Sequence, residues 1–181
     1  KMKVLVVSEF RRHRSKLEGI DLPKEEARDR DAFLAGEIST AQLHLSVRFL
    51  SQLLERAYDQ KVLILLDEYD APIHEVYQTE DYRNTVDTIR YMYGAALKDN
   101  SSLFRGVITG ILRIAKESIF SDWNNLIVYT LLDLEFTECF GFTEQELDQI
   151  LKDFDLQQDR EGISRWYNGD RFGNTTIYNP W

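Results

Sequence analysis

An α/β fold, in which a parallel sheet is flanked by helices, is predicted by three features of this 181-residue sequence. The run Val62-Leu63-Ile64-Leu65-Leu66 lacks polar alternation, as expected of a strand covered on both faces of a parallel sheet. Apolar residues at helical spacing flank it, at Leu43, Val47, Leu50, Leu54 and Ala57 before and at Val86, Ile89, Tyr93, Ala96 and Leu97 after. A second apolar run, Phe104 to Thr109, ends at Gly110, so strand, helix and strand form one βαβ unit with a right-handed crossover.

The remaining elements follow in chain order. Lys3-Val4-Leu5-Val6-Val7 is β-branched and predicts a buried strand, and residues 11–39 read as charged and irregular. The helix from Thr40 should pack on the sheet, and Tyr58-Asp59-Gln60 breaks it before the main strand. Pro72 limits that strand, because proline lacks a backbone donor and restricts its predecessor. Asp99-Asn100-Ser101-Ser102 is the exit loop of the second helix, and a third strand is predicted at Leu126 to Leu132. Thr143-Glu144-Gln145-Glu146 has the form of a capping box and opens a helix carrying Leu147, Ile150, Leu151 and Phe154. A short helix near Ile163 to Tyr167, turn signals from Trp166 to Gly173 and a last strand at Thr176-Ile177-Tyr178 complete the reading.

Hydrophobic residues make up 43% and charged residues 29%, the balance of a globular chain with one core. The 22 Lys plus Arg against 31 Asp plus Glu give a formal charge of −9, which repels a phosphate backbone and argues against direct nucleic-acid binding. The basic cluster Arg11, Arg12, His13, Arg14 and Lys16 reads as a solvated segment. Cys139, the single cysteine, excludes an intrachain disulfide and a cysteine zinc cluster, and is expected to be a small buried apolar side chain. No apolar run approaches the roughly 18 residues of a membrane span, and a cytoplasmic protein is expected.

In open α/β sheets ligands sit beyond the carboxyl ends of the strands, which is where Asp67 and Glu68 fall. Two adjacent carboxylates there suit magnesium nucleotide chemistry: Asp67 to hold Mg²⁺ through its water shell, Glu68 to orient or deprotonate the attacking water. A hydrophobic strand followed by Asp-Glu is the Walker-B pattern, although acidic residues also end strands at surfaces without any such role. Asp70, before Ala71-Pro72, is read as tying the turn by side-chain hydrogen bonds. At the end of the adjacent strand, Thr109-Gly110-Ile111-Leu112-Arg113 offers Arg113 as a candidate γ-phosphate sensor and Thr109 as a second; a surface salt bridge is the other reading of Arg113. A self-sufficient site also needs a Gly-x-x-x-x-Gly-Lys-Ser/Thr loop to cradle the phosphates, and none of the nine glycines is followed by lysine.

Leu66-Asp67-Glu68-Tyr69-Asp70-Ala71-Pro72-Ile73, Thr109-Gly110-Ile111-Leu112-Arg113-Ile114-Ala115-Lys116-Glu117-Ser118-Ile119-Phe120-Ser121, Asn124-Asn125-Leu126, Gly141-Phe142-Thr143-Glu144 and Trp166-Tyr167-Asn168-Gly169 occur in this order. Together, from about Ala41 to Trp181, they resemble the bacterial AAA-ATPase-like family, many of whose members carry a PD-(D/E)XK nuclease-like domain after the ATPase region. The resemblance implies a three-layer P-loop NTPase-like parallel sheet of the AAA/ASCE type with flanking helices, incomplete at the N-terminus, and a helical and hairpin C-terminal segment. It implies Asp67 and Glu68 at the Walker-B positions and Arg113 after the sensor strand. The segment from Lys116 to Asn125 has two readings: a packed loop joining the sensor strand to the next strand, or Ser118, Ser121 and Asn125 capping or lining the site. Its domain reading is residues 1–140 as a partial ATPase-like domain and 141–181 as an extension packed on it. The first forty residues match the family pattern poorly, its phosphate-binding loop is absent, and Asp170 stands where an aromatic is common. The chain thus reads as a truncated or inactive piece of a domain that binds and hydrolyses Mg-ATP, and the resemblance implies an attached or associated nuclease-like domain as partner. The alternative is a non-catalytic regulatory or protein-interaction module that retains the ATPase fold. A nuclease metal site at Asp67, Glu68 and Asp70 is the weakest reading, since no Glu-x-Lys partner strand is evident.

Overall fold

The computed structural model describes residues 1–111, 126–130 and 132–179. They fall into two compact units, Lys1–Asn125 and Leu126–Trp181. Among the described residues, no helix is long and apolar enough to cross a membrane.

The first unit opens with four helices: α1 (Met2–Arg12), α2 (Arg14–Leu17), α3 (Lys24–Ala35) and α4 (Thr40–Tyr58). The predicted strand at Lys3–Val7 is therefore a correction. Its apolar run is divided between two cores. Val7 and Phe10 are buried with Leu17, Phe33, Leu34, Ile38 and Leu53, while Met2 and Val6 pack against the cluster under the sheet. Sides at spacings of three and four are helical, and the exposed Val4 and Leu5 lie between them. Residues 11–39, expected to be irregular, instead hold the end of α1, α2 and α3, joined by short non-helical links. Pro23 precedes α3, and Gly36 closes it in the left-handed conformation that glycine adopts without a Cβ clash. Phe10 and Phe33 stack with centroids 4.1 Å apart. The basic cluster is largely consumed internally: Arg11 donates to the Leu34 and Ala35 carbonyls at the end of α3 (2.9 and 3.0 Å), Arg12 and His13 meet Glu9, and Arg14 meets Glu18.

Helix α4 begins at a complete capping box between Ser39 and Gln42 and ends at Asp59, which is left-handed. Strand β1 (Val62–Leu66) follows, then α5 (Ala71–Glu75), α6 (Tyr82–Leu97) and β2 (Leu103–Ile108). β1 and β2 pair in parallel with Leu65 opposite Val107 and Leu66 opposite Ile108, the predicted βαβ unit. Helix α4 packs chiefly on α6, with less contact to β1 than the sequence suggested. β1 is also not covered on both faces: Ile64 is buried under the helices, whereas Leu63 and Leu65 are 51% and 66% exposed. In the exit loop, Asn100 donates to Ser51 Oγ on α4 (2.9 Å) and to the Ala96 carbonyl of α6 (2.8 Å), and accepts from the Ser102 amide (3.1 Å). This buried amide joins both helices to the entry of β2.

The second unit contains α7 (Glu144–Asp153), a 3-10 turn at Gln157–Asp159, α8 (Arg160–Tyr167) and an antiparallel hairpin of β3 (Asn168–Phe172) and β4 (Thr175–Tyr178). Described residues 126–130 form no strand, and Leu131, within the predicted third strand, lies outside the described residues. The capping box at Thr143 is present as predicted. Leu147, Leu151 and Tyr178 are buried together with Ile163 against them. Gly141, at φ +85°, lets Phe142 and Tyr178 exchange backbone hydrogen bonds of 3.0 and 2.8 Å. A Cβ on Gly141 would lie 2.4 Å from Ile177 Cγ2, so both conformation and space call for glycine. Cys139 is exposed, against expectation: it sits in consecutive turns, its amide bonded to the Phe136 carbonyl.

Candidate nucleotide site at the strand ends

Because β1 and β2 run parallel, their carboxyl ends open on one edge. Backbone pairing continues past both strands: the Thr109 amide donates to the Leu66 carbonyl (2.9 Å), and the Tyr69 amide donates to the Thr109 carbonyl (3.0 Å). Thr109 thus stands beside Asp67 and Glu68. Its hydroxyl donates to Asp67 Oδ1 and accepts from the Glu68 amide (3.3 Å), which Asp67 Oδ1 also receives (3.1 Å). Three of the residues singled out in the sequence are brought together in this way.

Glu68 has φ +47°, a left-handed conformation costly for a residue with a Cβ. It turns the chain sharply after Asp67. Asp67 and Glu68 remain exposed, while the next two residues, Tyr69 and Asp70, are buried. Asp70 is 2% exposed; its Oδ2 accepts the Ile111 amide (3.1 Å) and lies 3.3 Å from His74 Nε2 on α5. The sequence suggested a tie within the turn, and the structure adds one across to the other strand. The sequence marks Gly110 only as the end of β2. A Cβ there would come within 2.4 Å of Tyr69 Cε1 and 2.8 Å of Asp70 Oδ1, so the ring and the carboxylate lie directly against its backbone. A glycine following the threonine was the available signal. Arg113 and the residues from Lys116 to Asn125 lie outside the described residues.

Among the described residues, no group of three or more His, Cys, Asp or Glu could cage a metal. Mg²⁺ makes a smaller demand, since it keeps several waters and takes one or two carboxylates together with substrate phosphates. Asp67, exposed at the strand end and oriented by the Thr109 hydroxyl, fits that mode.

The family described as predicted AAA-ATPase matches residues 9–120, more than half of the chain. The chain belongs to this AAA-ATPase-like family. The matched stretch contains Asp67, Glu68, Thr109 and Arg113, and it takes in most of the first forty residues, so the family extends further toward the N-terminus than the resemblance from about Ala41 implies. Gly141–Glu144 and Trp166–Gly169 lie beyond it. A similar protein is the "uncharacterized protein in vnfD 5′ region" of Azotobacter chroococcum mcd 1. It is 30% identical over 148 residues, which cover 79% of this AAA-ATPase-like chain and 28% of that protein. No solved structure matches the chain.

Proposed function

We propose that this chain supplies the acidic half of an ATP-hydrolysing site built on a three-layer P-loop sheet of the AAA/ASCE type. The supporting observation is the convergence of Asp67, Glu68 and Thr109 at the ends of two parallel strands. In this reading Asp67 would hold Mg²⁺, which when bound would supply charge neutralisation for the transferred phosphate. Glu68 orients the attacking water and takes its proton, Thr109 steers the Asp67 carboxylate, and Arg113 stabilises charge on the γ-phosphate. The ATPase-like region corresponds to residues 1–140 and the helix and hairpin extension to 141–181. No Gly-Lys pair exists in these 181 residues, so turnover requires a phosphate cradle from outside them.

The test is calorimetric titration with Mg-ATP alongside a turnover assay. The isolated 181-residue chain should turn over ATP weakly or not at all. A longer protein that joins it to a cradle should hydrolyse ATP, with Glu68→Gln lowering kcat by about a hundredfold or more while binding persists. Turnover by the isolated chain that vanishes in Glu68→Gln would sink the claim that a cradle is needed. The second reading, a regulatory or interaction module, draws support from exposed Leu132, Phe154 and Trp166 in the second unit. Absence of Mg-ATP binding by the longer protein favours it, and a nuclease-like partner would then be sought by co-purification.

A further inference from the structure

Asp70 is a buried carboxylate that the nucleotide reading does not use. A carboxylate loses its hydration on burial and is retained only where charged hydrogen bonds compensate. Its Oδ2 accepts the Ile111 amide at 3.1 Å, across 41 residues of sequence, with His74 Nε2 at 3.3 Å from the next turn of the chain. After Tyr69 the backbone has turned away from β2, and the Asp70 side chain supplies the acceptor where a main-chain rung no longer can. Gly110 has no side chain to keep the carboxylate off, and Asp70 Oδ1 sits 2.8 Å from where a Cβ would stand.

Thr109 is therefore held from both sides. Its amide is fixed to the Leu66 carbonyl, and two residues on, the Ile111 amide is fixed to Asp70. Between these points the Thr109 hydroxyl bonds to Asp67 and the Glu68 amide. We propose that Asp70 is a positioning residue: its tie to Ile111 sets the Thr109 hydroxyl, and through it the Asp67 carboxylate and the Glu68 turn. The tie itself stands on geometry alone, while its effect on chemistry rests on the nucleotide reading above.

Two measurements separate these parts. In the 181-residue chain, amide exchange followed by NMR should show the Ile111, Tyr69 and Glu68 amides exchanging about tenfold faster in Asp70→Ala, with α4 amides unchanged. Asp70→Asn, whose side-chain carbonyl can still accept, should recover most of the protection. Ile111→Pro deletes the donor from the opposite side at a residue that is 87% exposed, and serves if Asp70→Ala does not fold. It should speed the Glu68 and Tyr69 amides equally. Unchanged exchange in these variants overturns the tie. In a longer protein carrying a phosphate cradle, Asp70→Ala and Ile111→Pro should lower kcat about a hundredfold with the Mg-ATP Kd nearly unchanged, and Asp70→Asn should restore it. A general structural role would instead lower stability and weaken binding together, and overturns positioning. Failure of the wild-type longer protein to bind Mg-ATP overturns the nucleotide reading and the kinetic half of this proposal, leaving the exchange result to stand or fall separately.

Discussion

At the scale of single residues, the strand-end site depends on what is missing as much as on what is charged. Gly110 faces the Tyr69 ring and the Asp70 carboxylate with no side chain between, and an added Cβ would meet atoms of both at 2.4 to 2.8 Å. Both neighbours are buried and cannot move into solvent. Gly110→Ala should therefore cost about 1–3 kcal/mol, the usual range for overpacking, read from urea unfolding of the purified chain. A cost below about 0.5 kcal/mol would mean that the ring does not lie against this backbone. Sequence reasoning singled out Asp67, Glu68 and Thr109 from residue type and position after a strand, and the structure brings the three side by side. That reasoning did not reach Gly110 or the Asp70 to Ile111 bond, because a contact spanning 41 residues leaves no local periodicity to read.

At the scale of elements, legibility followed local signals. The Thr143 capping box, the apolar stripes of α4 and α6 and the run of β1 are all short-range patterns, and all are present. α1 misled because the exposed Val4 and Leu5 stand between the residues that serve its two cores, so no polar face interrupts the apolar run. The open face of β1 was invisible for a related reason: a continuous apolar run says what a strand could bury, not what covers it. The α7 cap carries a pH prediction. The amide and hydroxyl of Thr143 donate to Glu146 Oε2 (2.9 Å each) and hold its carboxyl below the usual glutamate range. These bonds favour the ionised form, so the folded value lies below the unfolded one, near 4.3. Their contribution is then complete above about pH 4.3 and is lost as pH falls through the lowered folded value. Amide exchange across residues 144–153 at a series of acid pH values should show α7 opening in that window. Glu146→Gln, which keeps a capping acceptor without the charge, should flatten the dependence, and an equal slope in both proteins would remove Glu146 as its source.

At the scale of the whole molecule, the two units differ in how much core they own. Among the described residues, the first unit, Lys1–Asn125, carries two buried clusters, one around Phe10, Phe33 and Leu53 and one around Tyr69, Ile89 and Tyr93. Among the described residues the second unit, Leu126–Trp181, buries one cluster of three side chains, Leu147, Leu151 and Tyr178. Polar bonds support it: Arg160 pairs with Asp148 at 2.6 Å and donates to the Tyr178 hydroxyl at 2.9 Å. A unit of roughly 56 residues leaves a large share of its surface in water and is marginal on core burial alone. Leu151 is 3% exposed, and truncating a buried leucine to alanine costs about 2–5 kcal/mol, comparable to the whole stability of such a unit. Leu151→Ala should therefore unfold the second unit at ordinary temperature. Hydrogen exchange should lose protection across 144–178, while α4, α6 and the β1 to β2 ladder keep theirs. Simultaneous loss in residues 40–108 would mean that the two units unfold as one cooperative body, and the small core could then no longer be treated as a separate source of stability.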